Sequence, residues 1–194
     1  MACDPQSLIN NSSCIACNIP NGMQLPVLIY LLCQIQQSGS SAQLFSHYSN
    51  SSTSGTGATD LYSDSIPANT LTTAGQRIIA EYVAHNTYGG TPYNVNITIS
   101  FAGQVIWSNT LSAANPADHD LRVQIVMTGT TTARTTVVEN LSYAAASPSQ
   151  TVGITTTDLV GLNFAQANNL KITGTVGDGT QSLTAQQGYG EVLR

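Results

Sequence analysis

Residues 93–101 (YNVNITISF) alternate apolar and polar side chains without a break. Tyr93, Val95, Ile97, Ile99 and Phe101 share one face, the period-2 mark of a half-buried strand. Residues 120–129 (DLRVQIVMTG) repeat the pattern, with Leu121, Val123, Ile125 and Met127 inward. Further runs rich in Val, Ile, Thr and Tyr occupy 77–84, 104–111, 134–143, 151–156, 170–176 and 181–193. Each is bounded by turn-forming residues, as strands are. Ala102 and Gly103 turn one run into the next as a hairpin. Gly177, Asp178 and Gly179 read as a tight turn before the last strand. The pattern predicts roughly eight strands after residue 58 with no helix among them, which excludes α/β enzyme folds and fits a sandwich, jelly roll or closed barrel.

The first 36 residues follow a different pattern. Residues 23–35 (MQLPVLIYLLCQI) are the most apolar stretch of the chain. They predict a short helix with Pro26 tolerated in its first turn. Met23, Leu25, Val27, Leu28, Ile29, Tyr30, Leu31, Leu32 and Ile35 leave almost no polar face, so the helix expects burial on several sides. In so short a segment, other chains are the expected source of that burial. The stretch is too short for a membrane span, which needs about 20 apolar residues. No Lys or Arg precedes Arg77, so the basic leader of a signal peptide is missing. Residues 37–57 are rich in Ser and Gly and read as a flexible or extended neck, with Leu44, Phe45 and Tyr48 docking locally. The expected organisation is therefore 1–36 anchor, 37–57 neck and 58–194 β domain. The fold class is an all-β antiparallel, jelly-roll-like sandwich preceded by a short helical, cysteine-containing anchor.

Charge narrows the partners. Only 8% of the 194 residues are charged, so solubility rests on Ser, Thr, Asn and Gln. With five basic residues and a net charge of −5, no basic patch can be built. Binding to nucleic acid or to an anionic membrane surface is not expected.

Candidate chemistry is sparse. Cys3, Cys14, Cys17 and Cys33 are the only cysteines. The last three have a spacing found in zinc sites. No histidine lies nearby, and Cys33 sits inside the apolar run, where a thiol behaves as a small hydrophobe. Buried thiols are preferred to a disulfide, and a disulfide to zinc. Asp118-His119-Asp120 sets a histidine between two carboxylates, but no nucleophile motif accompanies it. It reads as a polar loop leading into the Leu121 strand. His85 reads as a strand-end or loop residue, and His47 belongs to the neck. The carboxylates are scattered and read mostly as loop or solvent-face groups. No pair stands out for glycoside hydrolysis and no β-helix repeat is present. Tyr93 and Trp107 fit the core, whereas Tyr88, beside Gly89 and Gly90, is the candidate for a ligand loop. Asn96 and Asn140 open sequons that are read as incidental. No catalytic residue and no cofactor is assigned.

Two stretches carry a family resemblance. Residues 66–76 (IPANTLTTAGQ), followed by a strand and by the hairpin at 101–106 (FAGQVI), resemble the opening of jelly-roll modules in bacteriophage virion proteins. In this segment Pro67 fixes the backbone, Asn69 favours a turn and Leu71 plugs the sandwich. Residues 4–8 (DPQSL) with 22–35 look like an N-terminal adaptor found on phage structural proteins. The resemblance implies a homotrimer at the virion surface. Residues 1–36 would anchor it to the major capsid protein or another virion protein. Capsid decoration (cement) proteins, head fibres and tail-associated receptor-binding proteins that recognise host surface glycans share this plan.

Overall fold

A computed structural model describes residues 41–49, 51–54, 56–87, 93–113, 116–143, 150–177 and 181–194. The chain divides into two units, Met1–Ser40 and Ser41–Arg194. The first lies outside the described residues, and with it the anchor helix and all four cysteines.

The second unit contains eleven strands among the described residues: β1 (Ser41–Tyr48), β2 (Ser52–Thr53), β3 (Thr59–Ile66), β4 (Arg77–Asn86), β5 (Tyr93–Phe101), β6 (Gln104–Ala113), β7 (Ala117–Gly129), β8 (Thr132–Tyr143), β9 (Gln150–Leu159), β10 (Asn168–Val176) and β11 (Leu183–Leu193). They form two antiparallel sheets. The seven-stranded sheet has the order β1-β11-β4-β7-β8-β9, with β2 also on β11, and the four-stranded sheet has the order β3-β10-β5-β6. The unit is an all-β antiparallel sandwich, as the alternation predicts.

The inward faces make the core. Val95, Ile97, Ile99 and Phe101 of β5 meet Leu121, Val123, Ile125 and Met127 of β7 in one buried cluster with Leu170, Ile172 and Leu183. Each such side chain stabilises the fold by roughly 1.5–3 kcal/mol through burial. The β9 strand reaches across to the other sheet, where the Thr157 hydroxyl donates to the Ile106 carbonyl at 3.1 Å.

The segment 67–76 carries the chain from one sheet to the other. Asn69 adopts a left-handed φ of 60°, which its short polar side chain tolerates. Its N–H donates to the Phe164 carbonyl at 2.8 Å. The Thr70 hydroxyl donates to the Pro67 carbonyl at 2.7 Å. Leu71 is buried beneath them and joins the core. The roles assigned to Asn69 and Leu71 from the sequence hold in the fold. Ala102 and Gly103 turn the β5–β6 hairpin with φ of 50° and 78°, the paired left-handed geometry of a tight hairpin.

The start of the β unit needs correction. Strands Ser41–Tyr48 and Ser52–Thr53, assigned above to a neck, are part of the sandwich. β1 pairs with β11 from Ser41↔Leu193 to Tyr48↔Gln187. Phe45 and His47 lie over Gly190 and Gly188, where an added Cβ would collide with their rings. Two glycines thus make room for two aromatic side chains, and that fit holds a polar strand in place. β3 was also missed, because Asp60, Ser63 and Asp64 interrupt its apolar alternation. Tyr48 does not dock: it is 88% exposed.

Candidate functional site

Asp118, His119 and Asp120 are not a loop; they lie inside β7, and the strand sends them to opposite faces. His119 points inward and is 1% exposed. Its Nδ1 is 2.9 Å from Glu139 Oε1 of β8, and its Nε2 is 2.9 Å from Asn86 Oδ1 of β4. Asn109, on β6 of the facing sheet, donates its Nδ2–H to Glu139 Oε2 at 2.8 Å. Four polar side chains thus link both sheets. Buried polar groups persist when their hydrogen bonds are satisfied, and here they satisfy one another. Solvent does not reach the His119–Glu139 pair. Its role in the fold is to tie strands together.

A second polar cluster sits at the β1 edge. His47 Nε2 lies 2.7 Å from Asp64 Oδ1, and the Tyr82 hydroxyl donates to Asp64 Oδ2 at 2.9 Å. Phe45 stacks on both His47 and Tyr82 with centroids 5.8 Å apart, and Tyr62 tilts against Tyr82 at 4.8 Å. Burial, then the adjacent Asp64 carboxylate, pushes the Tyr82 hydroxyl far above its ordinary range. Tyr62 is pushed up to about 12, chiefly by burial. Its hydroxyl serves the β-bulge at Gln186: it accepts the Gln186 N–H at 2.8 Å and donates to the Val83 carbonyl. The extra residue of a bulge loses its ladder partner, and the facing sheet supplies one here.

The outward groups of β7 lie on the exposed face of the seven-stranded sheet. Asp118 Oδ1 is 2.7 Å from His85 Nδ1, so His85 is a strand residue with a carboxylate partner. Asp120 stands in a cross-strand row Gln187–Val83–Asp120–Asn140, and the next row is Tyr189–Glu81–Arg122–Val138. The first row, with Glu81 and Arg122 of the second, floors a groove of about 340 Å³ that Tyr82 and Leu121 also line. Arg122 Nε is 3.6 Å from Glu81 Oε1. Partial burial, followed by the charge of Asp118, raises the Asp120 carboxyl above its usual range. This groove is the candidate site.

The other sequence candidates fall elsewhere. Trp107 is buried in the core, but Val105, on its face in a regular strand, is 59% exposed, because a bulge at Ile106 breaks the alternation of β6. Tyr88 and the Tyr93 ring lie outside the described residues, as do Cys3, Cys14, Cys17, Cys33 and the apolar residues from Met23 to Ile35. Glu139 and Asp64, read as loop or solvent-face carboxylates, are 0% and 7% exposed. Strand parity carried the signal: Glu139 falls between Val137 and Leu141, and His119 lies two residues before Leu121. Among the described residues no three His, Cys, Asp or Glu side chains gather to hold a metal ion. No helix among them is long and apolar enough to cross a membrane.

No family model and no curated protein matches the chain in sequence. Among solved structures, it is similar to the VP2 subviral particle of infectious bursal disease virus at 14% identity and a TM-score of 0.33, over 80% of this chain and 32% of that one. The chain therefore spans about a third of that viral protein. It is also similar to arcelin-5, a lectin-like defence protein from Phaseolus vulgaris, at 9% identity and a TM-score of 0.34, over 81% of this chain and all of that one.

Proposed function

We propose that this chain is a non-enzymatic structural protein of a bacteriophage virion. In this reading it is a homotrimeric capsid decoration (cement) or head-fibre protein. Residues 1–36 attach it to the major capsid protein or another virion protein, and the β unit projects from the virion surface. The observation that carries the reading is the strand order. β1-β11-β4-β7 facing β3-β10-β5-β6 is the arrangement of two interlocked Greek keys, a jelly roll, with β8 and β9 added to one sheet. The virion-like segment 66–76 makes the crossing between its sheets. The histidine–carboxylate pairs support a structural role, because the buried ones are spent on joining strands.

A second reading is a tail-associated receptor-binding protein that recognises host surface glycans. It is favoured by the polar groove on the outer sheet face.

Light scattering on the full-length chain is expected to give the mass of three subunits. Gold-labelled full-length protein is expected to decorate stripped phage particles, and a chain lacking residues 1–36 is expected not to. A monomer that leaves particles bare overturns the proposal. Hydrolysis of a polysaccharide that disappears in Asp120→Asn overturns its non-enzymatic part.

A further inference from the structure

The outer face of the seven-stranded sheet keeps hydrogen-bonding capacity that other surface groups have spent. Arg134 is paired with Asp158 at 2.8 Å, Lys171 with Asp60 at 2.8 Å and His85 with Asp118 at 2.7 Å. Asp120, by contrast, has no hydrogen-bond partner among the described residues, and Arg122 and Glu81 form only a long, exposed ion pair at 3.6 Å. The Gln187 amide, in the same row as Asp120, is also uncommitted among the described residues and exposed. Tyr189, 38% exposed, is outside the groove's lining but pairs in register with Glu81, which lines it. Its hydroxyl is turned to Glu191 at 3.2 Å.

The groove volume of about 340 Å³ falls at the lower end of the roughly 300–1,000 Å³ typical of small-molecule sites. Its floor offers carboxylate acceptors from Asp120 and Glu81, guanidinium donors from Arg122, and an amide from Gln187 that both donates and accepts. Vicinal hydroxyls of a sugar ring both donate and accept, so they match such a mixed set. An aromatic ring complements the C–H face of a sugar. Asp118, Asp120, Glu81 and Glu191 outnumber Arg122, and this field disfavours anionic ligands.

We propose that this groove binds a neutral saccharide through Asp120, Glu81, Arg122 and Gln187, with Tyr189 reaching it from the neighbouring row. The inference rests on the second reading above, the β unit as a ligand-bearing surface. It moves the contact from the loop at Tyr88 to the sheet face.

The test is calorimetric titration of the full-length chain with maltotriose, triacetylchitotriose, mannotriose and lactose, beside trigalacturonic acid and sialyllactose. At least one neutral sugar is expected to bind, and both anionic sugars at least about tenfold more weakly. Asp120→Ala, Tyr189→Ala and Gln187→Ala are each expected to weaken that binding about tenfold or more, with unchanged unfolding midpoints. Val105→Ser, on the other sheet, is expected to leave it unchanged. Binding by none of the neutral sugars overturns the proposal, as does binding indifferent to all three groove substitutions or equal affinity for the anionic probes. A chain that decorates particles but binds no probe refutes this inference alone. A chain that binds a neutral sugar at the groove but never decorates particles refutes the virion anchor alone.

Discussion

His119 Nδ1 lies 2.9 Å from Glu139 Oε1, and neither side chain is more than 1% exposed. A buried pair of this kind contributes little net stability compared with an apolar replacement. Removing one partner, however, strands the other without water. Glu139→Ala also leaves the Asn109 amide without its acceptor. The substitution is expected to cost roughly 3–5 kcal/mol in urea denaturation. His119→Ala with Glu139→Ala is expected to cost clearly less than the two singles summed, with a coupling of about 1 kcal/mol or more. Strict additivity would show that the two side chains act independently.

Tyr62 makes alkaline stability a readable quantity. Its hydroxyl holds its proton up to about pH 12, against 10.0 for an unperturbed tyrosine. The unfolded chain therefore releases this proton first as pH rises. The associated stabilisation is complete below pH 10 and is lost between there and about 12. Tyr82 acts in the same direction. Denaturation midpoints are expected to fall over this window, less steeply in Tyr62→Phe. An identical slope in that variant would assign the loss to other groups.

Gly190→Ala tests how β1 is held. The new Cβ would occupy the space of the Phe45 ring. The strand must shift, at a cost of about 1–3 kcal/mol. Limited proteolysis is expected to cut within residues 41–48 faster than in the unsubstituted chain. Adding Phe45→Leu is expected to recover part of the protection.

Ala102 adopts a φ of 50° at a hairpin turn, where a Cβ is sterically costly. Asparagine tolerates this conformation better. Ala102→Asn is expected to raise stability by about 0.5–1 kcal/mol and to leave the core untouched. A loss of stability in thermal unfolding would show that the methyl packs usefully against the core, which Ala102 borders.

The alternation of Val95, Ile97, Ile99 and Phe101, and of Leu121, Val123, Ile125 and Met127, determined by itself two strands and the faces they turn to the core. That information is local, because a strand's period of two assigns each side chain to a face before any partner is known. The turn at Ala102-Gly103 was legible because it separates two strand runs, and the plug at Leu71 through the resemblance of the 66–76 segment. Tertiary structure alone decided what is paired with what. β1 belongs to the sandwich because Gly188 and Gly190, far away in sequence, clear space for His47 and Phe45. Glu139 and Asp64 are buried because His119, Asn109, His47 and Tyr82 arrive from other strands to satisfy them. The groove around Asp120 exists because four strands in register bring Gln187, Val83, Asp120 and Asn140 into one row. A polar residue's own neighbours in sequence cannot reveal such partners, since desolvation is offset by groups that only the fold brings within hydrogen-bond reach.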